Sequence, residues 1–184
     1  MDITINSKGT LKKVLISNQI DLENWGCNGA KTISDLWHEL ETGESEIQMS
    51  PLHRIVSVVQ VRIRKNNKIL IETLQLMRDG SIRVRNKPPS EKMKPGENYQ
   101  EAAIRCLQEE LAINPENITL HPETYICTKL SELSPSYPGL DSLYILHSIE
   151  ATIIKIQDSS FWTREISTNH TDPVITHCWD WVAE

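Results

Sequence analysis

The stretch GENYQEAAIRCLQEELAI, residues 96–113, predicts an α-helix with one buried side. Asn98 is suited to cap its N-terminus, because an Asn side chain can accept hydrogen bonds from the first backbone N–H groups of a helix. Ala103, Leu107 and Leu111 recur every four residues and form one apolar stripe. The sequence INPEN, which contains a proline, ends the helix. This segment is therefore expected to pack as one amphipathic helix.

A second face of the same helix carries two neighbouring carboxylates. Cys106, Glu109 and Glu110 are related as i, i+3 and i+4, which places them together and away from Leu107 and Leu111. Adjacent carboxylates repel each other, and a hard cation such as Mg²⁺ or Mn²⁺ relieves that repulsion. Taken alone, the pattern also fits an ordinary solvated helix face, and this alternative stays open.

Strands are predicted on both sides of the helix. In VQVRIRK, residues 59–65, apolar and polar residues alternate as in a strand with one buried face. Residues 69–77 and 81–86 form two more strands of a meander, separated by the turns KNNK and RDG. The segment KPPSEKMKPGE, residues 87–97, predicts an irregular loop because of its prolines. Further strands are predicted at 124–130, 142–154 and 176–182, with the turn-rich segment 157–173 before the last of them.

The first 50 residues are expected to form an extension of the main domain. Within them KTISDLWHELETGE, residues 31–44, is the one segment with a clear helical pattern. Thr32 or Ser34 can cap its start, and Gly43 can end it. We expect an N-terminal extension, residues 1–50, that packs on a domain formed by residues 51–184 and acts as a support or a lid.

Residues 91–113 resemble the signature of the Nudix superfamily. That signature is a Gly, five residues, Glu, seven residues, Arg-Glu, an aliphatic residue, any residue, Glu-Glu, any residue, Gly and an aliphatic residue. The matching positions here are Glu97, Arg105, Leu107, Glu109, Glu110 and Ile113. The resemblance implies an α/β fold of the α+β kind, the Nudix-type α/β/α sandwich with a mixed β-sheet. It also implies that Glu97 and Arg105 are structural residues of the motif.

Three positions depart from that signature. Glu91 stands in place of its first glycine, Cys106 in place of the first Glu after the Arg, and Ala112 in place of the closing glycine. Ala112 gives up only easy access to the left-handed conformation, a role that Asn114 can take. Glu91 alters the loop or, as the less favoured alternative, donates a carboxylate of its own. Cys106 is the most serious change, since a neutral thiol is a poor ligand for a hard cation.

The resemblance implies a divalent-cation-dependent hydrolase of a nucleoside or other organic diphosphate, with Mg²⁺ or Mn²⁺ as its cofactor. Its metal ligands would be Glu109 and Glu110, which also count as catalytic residues. Glu132 is the candidate general base outside the helix, with Asp141 as the runner-up. The alternative is a catalytically inactive Nudix-fold module for ligand binding or protein contact, in which Cys106 marks the loss of hydrolysis.

Candidate substrate-binding residues lie on the predicted strands and turns. Arg62, Arg83 and Arg85 occupy polar strand faces and can contact phosphates. Solubility alone also explains alternating polar residues, and it is the favoured explanation for each arginine. Tyr137 can stack on a base or a sugar, although an aromatic residue at a turn more often packs against its own domain.

The composition excludes several other classes of protein. A chain of 184 residues with 39% hydrophobic content predicts one packed core, and its net charge of -6 argues against a broad surface for a nucleic-acid polymer. Four cysteines without a CxxC pair predict neither a disulfide framework nor a structural zinc site, and the histidines, His147, His170 and His177 among them, lack a ligand-like spacing to Cys106.

The cellular setting follows from the same observations. No apolar run is long enough for a signal peptide or a membrane span, so we expect no membrane partner and a cytoplasmic location. The expected partner is a small-molecule diphosphate. The family resemblance adds a homodimer to these expectations.

Overall fold

The computed structural model describes residues 4–27, 29–166 and 173–184, which form two compact units. Unit 1 comprises Met1–Ser57 and Thr128–Ile145, and unit 2 comprises Val58–Cys127 and Leu146–Glu184. The boundary near residue 50 that the sequence suggests stays a prediction. Within the described part of the chain, no helix is both long enough and apolar enough to cross a membrane.

Helices and antiparallel strands are both present, which confirms the expected α+β class. The helices of the described residues are α1 (Lys8–Ser17), α2 (Ile33–Glu41) and α3 (Tyr99–Leu111). The strands are β1 (Glu46–Met49), β2 (Leu52–Lys65), β3 (Lys68–Met77), β4 (Ile82–Lys87), β5 (Ser90–Lys92), β6 (Ile118–Leu133), β7 (Asp141–Ile153), β8 (Phe161–Arg164) and β9 (Val174–Ala183).

The sheet of unit 2 confirms the predicted meander. Its strands follow the order β6-β7-β2-β3-β9-β8, with β4 paired to β3 and β5 paired to β2. Strands β2, β3 and β4 are joined antiparallel by the turns that the sequence predicts. In the first of these turns, Asn66 and Asn67 have φ values of 52° and 59°. Asparagine tolerates this left-handed conformation, which a two-residue hairpin turn requires.

The core of unit 2 lies between this sheet and α3. Val59, Val61 and Ile63 are buried on one face of β2, as their alternation predicts. Helix α3 contributes its predicted apolar stripe, and Trp179 and Trp181 of β9 join the same cluster. Cys106 is also part of this apolar cluster, and its side chain is fully buried. The apolar core therefore covers the part of α3 that carries Cys106. The sequence alone was also compatible with a solvated face at this position.

Strand β4 turns its charged side towards polar residues of β3. Ile82 and Val84 are 65% and 66% exposed. The Nε atom of Arg83 donates to Gln75 at 2.8 Å. Arg85 lies on the same side and reaches a buried carboxylate of β3. In β4 the apolar side chains thus face solvent and the two arginines face β3. This arrangement is possible because β3 supplies a buried polar partner for each arginine.

The predicted irregular segments contain short strands. Residues 90–92 of the predicted loop form β5, which pairs antiparallel with β2. Residues 161–164 of the predicted turn-rich segment form β8, which pairs with β9. Both predictions of irregular structure were wrong at these positions. The prolines of segment 87–97 exclude regular backbone only at their own positions. Strands as short as β5 and β8 also show no clear alternation of apolar and polar residues in the sequence.

Unit 1 has its own apolar cluster and two helices. The predicted helix is α2, and Thr32 accepts a hydrogen bond from the backbone of Asp35 in a capping box. Gly43 follows its end with φ 72°, as expected. Helix α1 was missed by the sequence analysis, although Leu11, Val14 and Leu15 are spaced at i, i+3 and i+4 and are buried.

Helix α3 ends in an unusual residue. Asn98 caps its start as predicted, by accepting from the backbone N–H groups of Gln100 and Glu101. At its other end, Ala112 itself adopts the left-handed conformation, with φ 55° and ψ 33°. Asn114 has φ -69°, so the expectation that it takes the left-handed role was wrong. The alanine therefore bears the steric cost that a glycine would avoid.

We predict that Ala112→Gly stabilises the protein. A non-glycine residue in this conformation costs about 1–2 kcal/mol, and the greater freedom of glycine in the unfolded chain cancels part of that gain. The expected net increase in the free energy of unfolding is about 0.5–1 kcal/mol in a urea titration. Asn114→Gly is the matched control and should not stabilise. Equal effects of the two substitutions would contradict this account.

Candidate functional site

Arg105 ties α3 to the loop that precedes it. Its Nε and Nη2 atoms donate to the two oxygens of Glu97, at 2.8 and 2.9 Å. Nη2 also donates to the backbone carbonyl of Lys92 at 2.7 Å. Glu97 in turn accepts from the backbone N–H of Lys94 at 2.8 Å. Helix and loop are thus joined through one planar guanidinium, whose fork matches a carboxylate.

Glu109 lies on the helix face next to this fork. Its Oε2 atom accepts from Nη1 of Arg105 at 3.0 Å, and its Oε1 atom lies 3.9 Å from Nζ of Lys94. Its backbone carbonyl accepts from the N–H of Ile166 at 2.9 Å. The side chain is only 15% exposed. Two cations therefore already compensate this carboxylate.

Glu110 is the buried member of the pair. The residue is 4% exposed, and its Oε2 atom has no hydrogen-bond partner among the described residues. Burial raises the pKa of Glu110 well above its ordinary value, and the charges of Glu72 and Glu91 raise it further. A buried carboxylate oxygen without a donor is costly. This atom is the clearest sign of a missing partner in unit 2.

Glu91 contributes a carboxylate to the same region. It lies on β5, and its Oε1 atom is 4.0 Å from Nη1 of Arg105. Its charge acts on both Glu110 and Cys106. Burial raises the pKa of the Cys106 thiol well above its usual value, and the charges of Glu110 and Glu91 add to that effect. Cys106 is therefore a neutral thiol beside two carboxylates.

A buried hydrogen-bonded chain lies close to Glu110, and the sequence analysis missed it. His177 bonds Oε1 of Glu72 through Nδ1 at 2.5 Å and Oε2 of Glu165 through Nε2 at 2.7 Å. Oε2 of Glu72 accepts from Nε of Arg85 at 3.0 Å. Glu72 and His177 are each 1% exposed. Among the described residues, this chain is a second set of ionisable side chains beside α3.

The charges of this chain support one another. Although burial lowers the pKa of His177, its hydrogen bonds to Glu165 and Glu72 raise it to about 10. Burial raises the pKa of Glu72, but the bond to His177 and the charge of Arg85 outweigh burial and leave it lowered. The imidazole is consequently protonated near neutral pH and Glu72 is ionised.

A weak signal for this chain was present in the sequence. Glu72 shares the buried face of β3 with Leu70, so it is a charged residue in an apolar position. His177 shares the buried face of β9 with Trp179 and Trp181. Buried ionisable residues are rarely left without partners. The period of two could have placed each of them on a buried face, but it carries no information that they meet.

The other candidate residues are distributed over both units. Arg83 and Arg85 lie on the polar side of β4, and Arg85 is close enough to Glu110 to affect its pKa. Arg62 lies half-buried on β2 in unit 2. Glu132 is exposed on the part of β6 that belongs to unit 1.

Tyr137 belongs to unit 1 and is fully buried there. Its ring packs 5.0 Å from that of Trp25 and beneath the guanidinium of Arg54 at 5.2 Å. This is the packing that an aromatic residue at a turn favours.

All four cysteines of the chain are free thiols. Of the histidines that the sequence analysis considered as partners of Cys106, His170 lies outside the described residues.

The carboxylates near α3 are of the type that binds a divalent cation. No group of three His, Cys, Asp or Glu side chains in the described ranges converges closely enough to form a preformed metal site. The charge of Glu91 nevertheless acts on Glu110, and one oxygen of Glu110 lacks a donor among these residues. Carboxylate oxygens are the ligands that Mg²⁺ and Mn²⁺ prefer. The residues therefore fit a hard cation in chemistry, with fewer preformed ligands than the signature provides.

Comparison with known proteins gives matches in structure only. No family model matches the sequence, and no curated protein matches it. A Nudix hydrolase from Nitrosomonas europaea matches with 16% identity and a TM-score of 0.44, over 70% of this chain and 72% of its own. A Nudix-family hydrolase from Clostridium perfringens matches with 18% identity and a TM-score of 0.37, over 70% and 80%.

The chain is similar to Nudix hydrolases. A C. elegans Ap4A hydrolase also matches, with 18% identity and a TM-score of 0.35, over 70% of this chain and 79% of its own. The Nudix superfamily is also the family whose signature residues 91–113 resemble.

We predict that Arg105 is essential to the stability of unit 2. Arg105→Ala leaves Glu97 and Glu109 without their cation and should lower the free energy of unfolding by about 2–4 kcal/mol. Arg64→Ala is the control, because Arg64 forms exposed ion pairs with Glu150 and Glu184 and should cost about 0–1 kcal/mol. Urea titrations of both variants test this difference. Similar losses in the two variants would show that Arg105 is no more than a surface ion pair.

We also predict that stability falls with rising pH because of His177. The pKa of about 10 in the folded protein lies above the ordinary value for histidine. The stabilisation is therefore complete below about pH 6.5 and is lost as the pH rises through about 10. The slope approaches about 1.4 kcal/mol per pH unit in between. Chemical denaturation across this range should show it.

His177→Gln should flatten this dependence, whereas the partly exposed His121→Gln should not. Glu110 contributes a slope of the same sign, since its pKa is also raised, so the difference between wild type and variant is the informative quantity. An unchanged slope in His177→Gln would contradict the assignment.

Proposed function

We propose that unit 2 is a Nudix-type site that binds an organic diphosphate together with Mg²⁺ or Mn²⁺ and hydrolyses it. The observation that carries this proposal is the buried Oε2 atom of Glu110, which lacks a hydrogen-bond partner among the described residues, on a side chain that feels the charges of Glu72 and Glu91. Like charges in a buried region are unstable together unless a cation joins them. A divalent cation supplies that charge.

Glu109 and Glu110 are the proposed metal ligands, with Glu91 as an additional carboxylate. The signature places a Glu at position 106, and here Cys106 faces the apolar core. The charge of Glu91 on β5 acts on both Cys106 and Glu110. This favours the alternative in which Glu91 donates a carboxylate to the metal. The proposed ligand set is therefore drawn from both the helix and the strand before it.

Arg83 and Arg85 are the proposed phosphate contacts. Both lie on the side of β4 that faces the polar residues of β3, and the charge of Arg85 acts on Glu110. Guanidinium groups bind phosphate oxygens through paired hydrogen bonds. A diphosphate between the arginines and the carboxylates would then have its charge balanced from both sides. Arg62 of β2 is kept as a further candidate.

In the proposed hydrolysis, the cation and the residues of the chain contribute different parts of the chemistry. A bound divalent cation neutralises phosphate charge and lowers the pKa of water. Arg105 orients Glu109, and the loop bound by the same guanidinium fixes the position of Glu91. Glu132 of unit 1 is kept as the candidate general base that the signature resemblance implies, and Glu132→Gln tests that role. The proposal includes a small-molecule partner only, a cytoplasmic location and a homodimer.

The second candidate function is a catalytically inactive module that binds a ligand or a protein. This function is favoured because cationic side chains of the protein already neutralise some of the carboxylates that a metal ion would need. Arg105 and Lys94 compensate Glu109, while His177 and Arg85 compensate Glu72. With these contacts in place, the described residues leave fewer carboxylates to a metal than the family signature provides.

We predict opposite effects of Glu110→Gln with and without metal. In the absence of divalent cations the variant should be more stable by about 1–3 kcal/mol, because an amide is cheaper to bury than an unpaired carboxylate. Mn²⁺ at about 100 times its dissociation constant should add about 2.7 kcal/mol to the wild type and much less to the variant. Thermal unfolding with and without Mn²⁺ measures both effects. A wild type that gains nothing from Mn²⁺ would refute the metal site.

The same variants separate enzyme from module. Wild type, Glu110→Gln and Cys106→Glu are incubated with Mg²⁺ or Mn²⁺ and with nucleotide sugars, dinucleoside polyphosphates, nucleoside triphosphates and prenyl diphosphates. The enzyme proposal expects turnover by the wild type and a loss of about 100-fold or more in Glu110→Gln. Turnover by Cys106→Glu alone supports the inactive module.

A further inference from the structure

His177 lies at the centre of a buried chain that the proposed hydrolysis does not itself use. Each of its ring nitrogens lies within 2.7 Å of a carboxylate oxygen, one from Glu72 and one from Glu165. An ionised carboxylate only accepts hydrogen bonds, so a ring between two of them must donate from both nitrogens. Between two ionised carboxylates, the geometry therefore favours an imidazolium. The residue is 1% exposed, so water does not compete for these bonds.

The chain continues from His177 to the proposed phosphate contacts. Glu72 uses one oxygen for His177 and the other for Nε of Arg85, at 3.0 Å. The Arg85 guanidinium is thereby held on the side of β4 that faces inwards, and its charge acts on Glu110. A carboxylate shared between two cations fixes both of them more firmly than a single pair does.

The other end of the chain reaches the last turn of α3. The segment that carries Glu165 contacts the helix backbone twice: the N–H of Ile166 donates to the carbonyl of Glu109, and the Thr163 hydroxyl donates to that of Glu110. Thr163 in turn accepts from the indole N–H of Trp179, whose ring stacks on His177 at 5.7 Å. The imidazolium of His177 thus connects the Glu165 segment, which contacts α3, with Glu72 of β3, which holds Arg85 of β4.

We propose that His177 is a positioning residue of the diphosphate site, which acts through Glu72 to hold the Arg85 guanidinium on the inward side of β4. This role rests on the proposed function, because it assigns Arg85 to the phosphate. The charged groups that face His177 are Glu72 from β3, Glu165 after β8, Glu110 from α3 and, through Glu72, Arg85 from β4.

Electrostatics explains why a cation is needed at this position. With the ring protonated, the Glu72 carboxylate is shared between two cations, His177 and Arg85. With a neutral ring, the chain would carry one positive charge fewer, and Glu72 would attract Arg85 more strongly. The lost charge would also weaken the attraction for an incoming diphosphate. The imidazolium allows Arg85 to act on the ligand.

The first arm of the test measures the positioning itself by NMR. At about pH 8, above the ordinary pKa of histidine, the wild type should show protons on both ring nitrogens of His177. The Nε–H proton of Arg85 should exchange slowly with water. His177→Asn should make that proton exchange at least about tenfold faster. A ring with one bare nitrogen, or an unchanged Arg85 exchange rate in the variant, overturns the proposal.

The second arm measures the consequence for ligand binding. The probe is methylenediphosphonate, a diphosphate analogue that cannot be hydrolysed, titrated by calorimetry in the presence of Mn²⁺. His177→Asn should weaken binding by about tenfold, as should Arg85→Ala. The double variant should lose little more than either single one, because His177 acts through Arg85. Additive losses, or full affinity in His177→Asn, overturn the proposal. His121→Asn, which changes a partly exposed histidine of β6, should bind like the wild type.

Two further results remain decisive. If His177→Asn does not fold, His177→Gln replaces it, because this substitution also removes the positive charge of the ring and should shift Arg85 exchange and affinity in the same direction. If the wild type does not bind methylenediphosphonate, the proposed function fails, and the NMR arm alone then decides whether His177 positions Arg85.

Discussion

The guanidinium of Arg105 is the constraint on which the site depends. It binds both oxygens of Glu97, the backbone of Lys92 and the carboxylate of Glu109, and it is largely shielded from water. No other side chain type offers donors in that planar arrangement. Because the loop between β5 and α3 contains no regular structure of its own, its position relative to the helix is set by these bonds. The place of Glu91 relative to Glu110 follows from the same contact.

Around this fork and His177 the protein pairs most of its carboxylates with cations. Glu97 and Glu109 contact Arg105, and Glu72 contacts His177 and Arg85. Among the described residues of unit 2, the Oε2 atom of Glu110 is a buried carboxylate oxygen without a donor. This unpaired oxygen is the feature from which the proposed cation and phosphate compound are inferred.

Local patterns in the sequence predicted the elements that local physics determines. The α3 stripe and its Asn98 cap depend on neighbours within four residues, and the β2–β3 turn depends on two asparagines. The His177–Glu72 contact joins residues 105 positions apart, and no period or turn signal carries such information. Sequence patterns could place each residue on a buried face, but strand order decides that the two faces meet. The short strands β5 and β8 were missed for the related reason that their pairing partners, not their own residues, define them.

The departures from the signature are easier to understand together than singly. Cys106 removes a carboxylate from the helix, and its side chain joins the apolar core, where an ionised group would be costly. Glu91 adds a carboxylate on β5, and its charge acts on the same Glu110. The helix thus lacks one acid that the signature contains, while β5 carries one that the signature lacks. A site that had lost its need for a cation would gain stability by replacing Glu110 with a neutral residue, because its unpaired oxygen is expensive to bury. Cys106 alone therefore does not decide between the two proposed functions, because the unpaired oxygen of Glu110 and the charge of Glu91 point in the other direction.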